Sequence, residues 1–325
     1  MIIAKTPFRL SLFGGGTDYA EFFKNYEDGL VIGLGIDKYS YILLRKLPRF
    51  FDFKSRVCYY KIETVEDNEQ IEHSAINAIL NKSNVDFGVE MFYSADLPAR
   101  SGIGSSSTFS TCLTHAVKAL KGEFVSKDEL SNLTLELEHN ILKENVGYQD
   151  QLFAAYGGFN IIKFTKYGHI IKPVITSKEF TNELEESLVM VYTGIQRNSS
   201  EVVGSYLNNF DEKIDDLRKI KRIAEKSLKY IDSYNIKGLG QLLDESWKYK
   251  RSLSKNISNP TADRIYEIAL SAGAYGGKIM GGGGGGFMMF LIDPSKKDRF
   301  KYDMKDYTVI DVKINWTGSE IIYAR

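Results

Sequence analysis

The segment Leu97–Ser110, LPARSGIGSSSTFS, limits the folding of this chain most tightly, because a glycine and hydroxyl run opens there into an apolar stretch with helical period. A helix starting at Ser105 aims its unpaired backbone N–H groups and the positive end of its dipole at whatever lies in front of it. Such a terminus is an anion site, and phosphate is the guest that suits it. Gly102 and Gly104 let the backbone approach a polyphosphate closely, while Ser105, Ser106 and Ser107 offer hydroxyls that cap the helix, bond phosphate oxygens or ligate a hard cation. Taken alone, the segment reads equally well as an ordinary serine-capped helix, so other segments have to decide.

A length of 325 residues suits about two domains, and a hydrophobic content of 43% is enough to bury sizeable cores. Lysine plus arginine and aspartate plus glutamate both number 42, which argues against a broad electrostatic footprint for nucleic acid or an anionic membrane. Cys58 and Cys112 are too few for a disulfide framework or a thiolate metal site and read as small buried side chains. The four histidines, His73, His115, His139 and His169, show no paired spacing for a metal. With no signal-peptide layout and no apolar run of membrane-spanning length, the expectation is a soluble cytoplasmic protein.

Residues 1–180 read as one unit and 181–325 as a second. Strands are expected at Ile2–Phe13, Leu30–Leu44, Val57–Glu66 and Val89–Ala95, with a short helix after Gly16 capped by Thr17 or Asp18. From Ser105 the period changes, predicting helices to about Leu120, over Ser126–Leu142 and over Gln149–Tyr156, then strands at Phe159–Thr165 and Ile170–Ile175. Leu188–Thr193 looks like the first strand of the second unit. Helices at Ser199–Phe210, Asp211–Asp232, Ile236–Lys250 and Thr261–Ala272 and strands at Gly277–Met280, Phe287–Ile292 and Val309–Trp316 make that half α+β.

Two further glycine runs join the first. Gly281–Gly286 lies between two strands, and six glycines in a compact protein lose backbone entropy on the order of 1 kcal/mol each relative to alanine, so something requires their small size. Close approach of backbone to a ligand is one reason, with Lys278 adding charge; a flexible hairpin is the other reading. Gly14, Gly15 and Gly16 follow the first strand, and Asp18 stands where its carboxylate meets a polyhydroxyl substrate or caps a helix. No Walker lysine follows the serine run, and the 281–286 glycines precede a strand, so neither the P-loop nor the dinucleotide fingerprint fits.

Three such loops in this order resemble the GHMP small-molecule kinases. TPFRLSLFGGGTDY (Thr6–Tyr19) is similar to the family's first motif, Leu97–Ser107 to its phosphate-binding second, and Lys278–Phe287 to its third. GGGTD, DLPARSGIGSSS, LKENVGYQDQ, YTGIQR and DESWKYKRSL resemble its bacterial heptose kinases and fucokinases. The resemblance implies a two-domain α+β fold, ribosomal-protein-like at the amino end and ferredoxin-like at the carboxy end, with ATP in the cleft between. It implies transfer of the ATP γ-phosphoryl group to the anomeric hydroxyl of a heptose phosphorylated at carbon 7, a step toward nucleotide-activated heptose for surface polysaccharide. A neighbouring sugar kinase and a non-catalytic sugar and ATP sensor are the other readings.

Carried onto matching positions, the resemblance makes Asp150 the catalytic base, Arg9 its partner, and Ser106 and Glu138 the Mg²⁺ ligands. ATP falls to Arg100, Ser101, Gly102, Ile103, Gly104, Ser105, Ser106, Ser107, Gly282, Gly283 and Gly284. The sugar falls to Gly15, Gly16, Thr17, Asp18, Arg197 and Gly284. A substrate that already bears phosphate needs a second anion site, for which Arg197 and Arg100 lead, followed by Lys248, Lys250 and Arg251. Ser107 and Thr108 replace two alanines usual in the second motif, Gly283 an alanine of the third, and Gly15 a glutamate that galactokinases carry. The implied partners are ATP and a sugar phosphate, with no nucleic acid and no membrane; a homo-oligomer remains open.

Overall fold

The computed structural model describes residues 1–196 and 210–325, so Arg197 and most of the helix expected over Ser199–Phe210 lie outside the described residues. Two sheets divide the described residues. The larger has eight strands: β1 (Ile2–Phe13), β2 (Gly29–Lys46), β3 (Ser55–Cys58), β4 (Ile62–Val65), β5 (Val89–Ala95), β6 (Phe159–Thr165), β7 (Gly168–Pro173) and β12 (Glu320–Ala324). Its order is β12-β1-β2-β5-β3-β4, with β6 and β7 branching from the other half of the long strand β2. The smaller sheet, ordered β11-β8-β10-β9, holds β8 (Leu188–Tyr192), β9 (Ala274–Ile279), β10 (Phe287–Ile292) and β11 (Thr308–Asp311). The chain is thus α+β, and its last strand returns from the second half to pair antiparallel with β1.

Helices complete both units. Across the first lie α1 (Ala20–Asn25), α2 (Ser74–Lys82), α3 (Ser105–Leu120), α4 (Lys127–Glu136) and α5 (Asp150–Tyr156). In the second follow α6 (Lys178–Ser187), α7 (Phe210–Asp232), α8 (Ile236–Leu253), α9 (Pro260–Ser271) and α10 (Lys297–Asp303). Pro260 occupies the first turn of α9, where its missing N–H costs nothing, and Asn259 caps it by accepting from Ala262 N. Among the described residues no helix is long and apolar enough to cross a membrane.

The run FMMFLI explains how the sheets join. Strand side chains alternate, so Phe287, Met289 and Leu291 enter the core shared with Leu10, Leu12, Ile32 and Leu34 of the larger sheet. Met288, Phe290 and Ile292 face the opposite way, into a second core with Trp247, Ile265 and Phe300. A strand apolar on both faces can only be interior.

Several elements differ from expectation. Val57–Glu66 is a hairpin of two strands, because Cys58 and Ile62 pair across Tyr59–Lys61. Neither Thr17 nor Asp18 caps α1, whose N-cap position is held by Tyr19 without a capping bond from its side chain. The Thr17 hydroxyl instead ties Gly14 O to the start of β2, accepting from Leu30 N, and Asp18 turns inward. The strand expected to run to Trp316 ends at Asp311, and α2, α6, α10 and β12 were not foreseen.

Candidate active site

A cavity of about 960 Å³ opens between the two units and draws together the three glycine segments. Its lining includes a charge pair. Arg9, projecting from β1, donates from Nε to Asp150 Oδ1 at 2.7 Å and from Nη2 to Oδ2 at 2.8 Å, and its Nη1 reaches Gly102 O at 2.7 Å. The planar fork therefore fixes both the carboxylate and the glycine loop. Arg9 is 4% exposed, whereas the Asp150 side chain keeps 19% of its surface open.

The helix start expected at Ser105 is present, with Gly104 as a left-handed N-cap at φ +76°. A Cβ on Gly104 would stand 3.2 Å from Asp150 Oδ2 and 3.3 Å from Arg9 Cγ, so the anion cradle and the acid touch. Arg100, Gly102, Gly104, Ser105, Ser106 and Ser107 border the cavity. Ser101 and Ile103 do not: the Ser101 hydroxyl donates to Pro98 O at 2.6 Å, and Ile103 is buried in the core.

The six-glycine run is packed, not slack. Phe287 N donates to Ser101 O at 3.0 Å, and a Cβ on Gly286 would lie 2.2 Å from that same oxygen, at φ +82°. Here small size serves the docking of one glycine loop on the other. Gly282 borders the cavity, while Gly283 packs on Ile257 and Gly284 N donates to Ile257 O at 2.9 Å.

Glu138 is fully buried in a π-helical turn, Leu137–Ile141, that continues α4. Its Oε2 accepts from Ser107 Oγ at 2.7 Å and from Gln151 Nε2 at 2.5 Å, while Oε1 has no partner. Ser106, the residue before Ser107, is exposed at the cavity. Burial pushes the Glu138 carboxyl up to about 7, against the pull of its two donors. Raised this way, the acid holds its proton more tightly in the folded protein than in the unfolded chain, so it costs stability increasingly as pH rises from 4.5 toward 7. Glu138→Gln removes the buried charge and places an amide beside Gln151, which already bonds this side chain and has an unpartnered buried Oε1. We expect that variant to gain about 2 kcal/mol at pH 8 and nothing at pH 4.5, read from thermal midpoints; lower stability at pH 8 would contradict the assignment.

Beyond the Arg9–Asp150 pair, Asp18 is buried and accepts from Gly16 N at 2.9 Å and Gln149 Nε2 at 2.9 Å. Burial raises its carboxyl above the usual range, with the neighbouring Asp150 charge adding to that effect. Gly15 and Gly16 border the cavity here, joined by Ser11, whose buried hydroxyl has no partner. Of the basic residues considered for a second anion, Lys248 pairs with Asp244 at 2.7 Å and Arg251 lies 3.4 Å from Asp263, both outside the cavity. Lys250 turns inward and donates to Ile279 O and Gly281 O at 2.8 and 2.6 Å. The other end of the cavity is aromatic: Tyr59, His73, Phe109 and Tyr93 form a chain with centroid spacings of 4.9, 5.1 and 5.0 Å.

Serine 11, Gln149, Ser246 and this aromatic end were not foreseen. Ser11 follows Arg9 by two residues on a strand and Ser246 precedes Lys250 by four on a helix, so both spacings carried a signal.

The N-terminal domain of the GHMP kinases matches residues 70–158, and their C-terminal domain matches residues 227–309. The chain belongs to the GHMP kinase family. It is 32% identical to the D-glycero-alpha-D-manno-heptose 7-phosphate kinase of Campylobacter jejuni, over 91% of each chain. A D-glycero-D-manno-heptose 1-phosphate kinase from Bacteroides thetaiotaomicron superposes with a TM-score of 0.81 at 24% identity, covering 100% of both chains. Lactococcus lactis galactokinase complexed with galactose gives 0.76 at 17% identity over 99% of this chain and 95% of that one. Both structures share the fold. This GHMP kinase is an ATP-dependent sugar kinase.

Proposed function

We propose that this GHMP kinase transfers the γ-phosphoryl group of ATP to the anomeric hydroxyl of D-glycero-D-manno-heptose 7-phosphate, yielding the 1,7-bisphosphate. One observation carries the reading: the Asp150 carboxylate, locked by Arg9, touches the helix terminus suited to a polyphosphate. The 32% identity to a heptose 7-phosphate kinase favours that sugar.

The nucleotide base takes the aromatic end near Tyr59, His73, Tyr93 and Phe109. Its phosphates rest on Gly102, Gly104, Ser105 and Ser106 at the start of α3, supported by Arg100 and Gly282. Ser101, Ile103, Gly283 and Gly284 shape the two loops from behind, and Ser107 holds Glu138. The sugar lies against Gly15, Gly16 and Asp18, with Thr17 fixing that loop. Asp150 accepts the proton of the anomeric hydroxyl as its oxygen bonds to the γ-phosphorus, and the bond from that phosphorus to the β–γ bridging oxygen breaks to release ADP. Arg9 offsets charge that builds on the transferring group. The division at residue 180 assigns the cradle and base to the first unit and the 281–286 loop to the second.

The donor set near Glu138 fits Mg²⁺. Among the described residues no three His, Cys, Asp or Glu side chains converge, and an ion that takes few protein oxygens beside phosphates does not require them. Glu138, through its unpartnered oxygen, and Ser106 would hold it. When bound, Mg²⁺ neutralises phosphate charge.

A panel measuring ADP release with the heptose 7-phosphate, fucose, galactose and mevalonate tests the substrate. The heptose 7-phosphate should lead in kcat/KM by at least about 100-fold, a difference near 2.7 kcal/mol; a better rate with fucose or galactose refutes the assignment.

A further inference from the structure

Lys278 stands on β9 opposite Met289 and is only 4% exposed, yet it borders the cavity. Among the described residues its amine makes no hydrogen bond or ion pair. A lysine in such a place normally pairs, because burying an amine without a partner is costly. The charged groups acting on it are Lys250, Arg9 and Asp18. Burial first, then the two neighbouring cations, hold its amine well below the ordinary lysine range. Lys250 gives two of its bonds to backbone carbonyls and also borders the cavity. The Ser11 hydroxyl on β1, buried and unpartnered, borders the same cavity. Two amines and a free hydroxyl, lining one cavity from three elements of both units, lack one thing: an anion.

Two anions enter a kinase of this kind, the donor's polyphosphate and any phosphate on the acceptor. The donor's place is the start of α3, where Gly104 touches Arg9 and Asp150. The Ser11 hydroxyl lies at the Gly15 loop, where a Cβ on Gly15 would stand 3.2 Å from it, and Gly16 N of that loop donates to Asp18, whose charge acts on both lysines alongside that of Arg9. That side belongs to the acceptor. We propose that Lys278, with Lys250 and the Ser11 hydroxyl, seats a phosphate monoester carried by the sugar, away from the reacting hydroxyl. The proposal rests on the reading that the acceptor is a sugar phosphate.

Lys278→Met keeps most of the side chain's length and removes its amine. With the donor cleft filled by a non-hydrolysable ATP analogue, binding of mannose 6-phosphate is measured by calorimetry. The variant should bind it at least tenfold more weakly, while affinity for the analogue stays within twofold and so reports an intact fold. In turnover, the preference for heptose 7-phosphate over the unphosphorylated heptose should fall by at least 30-fold, carried by KM. Absence of mannose 6-phosphate binding to the wild type, equal binding to both proteins, or a loss that falls on the ATP analogue each overturns the subsite. If the wild type turns over neither heptose, the substrate reading fails, and the mannose 6-phosphate comparison still decides the subsite.

Discussion

Asp150→Asn is expected to lower kcat by about 10²–10⁴ while the affinity for nucleotide stays within a few-fold of wild type. Asparagine keeps the size and one acceptor oxygen, so Arg9 retains a partner, but the amide cannot take a proton from the sugar hydroxyl. Because Arg9 spends two donors on Asp150 and a third on Gly102 O, its charge stays near the cradle in the variant. The loss should therefore appear in turnover and not in binding. Arg9→Met should also lose rate, and the double variant should be little worse than either single one, since residues that act as a unit do not add. Steady-state rates with a parallel titration of the nucleotide check this. More than a tenth of wild-type kcat in Asp150→Asn would remove the proton acceptor from the mechanism.

Local patterns were legible where burial is one-dimensional. FMMFLI announced an interior strand because every residue is apolar, and Ser105 announced a helix start because glycine precedes it and an apolar period follows. Hidden were features that depend on distant partners. β12 is a short edge strand with exposed Ile322 and Tyr323, and only its pairing with β1, more than 300 residues away, defines it. The Tyr59–Lys61 turn lacks glycine, proline and asparagine, so β3 and β4 merged into one expected strand. In the site, the meeting of Arg9 with Asp150 was legible from motif positions, whereas Ser107 and Ser106 are alike in sequence; both border the cavity, but the turn of α3 buries Ser107 against Glu138 and leaves Ser106 exposed. Lys248 and Lys250 divide in the same manner. Two residues apart on α8 they point about 200° apart, one to Asp244 and solvent, the other to the glycine loop.

A tight backbone contact in the site falls on Gly102, and Gly102→Ala should cost about 2–5 kcal/mol of stability and on the order of 100-fold in nucleotide affinity. At φ +81° an added Cβ would lie 2.5 Å from Met280 O and 2.9 Å from Met280 C. Those are backbone atoms of the strand end that leads into the six-glycine run, so relief requires the two loops to part. Parting is not local. Gly102 O holds Arg9, a Cβ on Gly281 would stand 2.7 Å from Gly102 Cα, and Lys250 is anchored on Gly281 O. Gly122→Ala separates strain from contact: its φ is +75°, yet nothing lies within 4 Å of the added carbon. That control should cost about 1 kcal/mol and leave nucleotide affinity untouched. If denaturant midpoints and nucleotide titrations were the same for the two variants, the apposition of the glycine loops would not be what positions the phosphates.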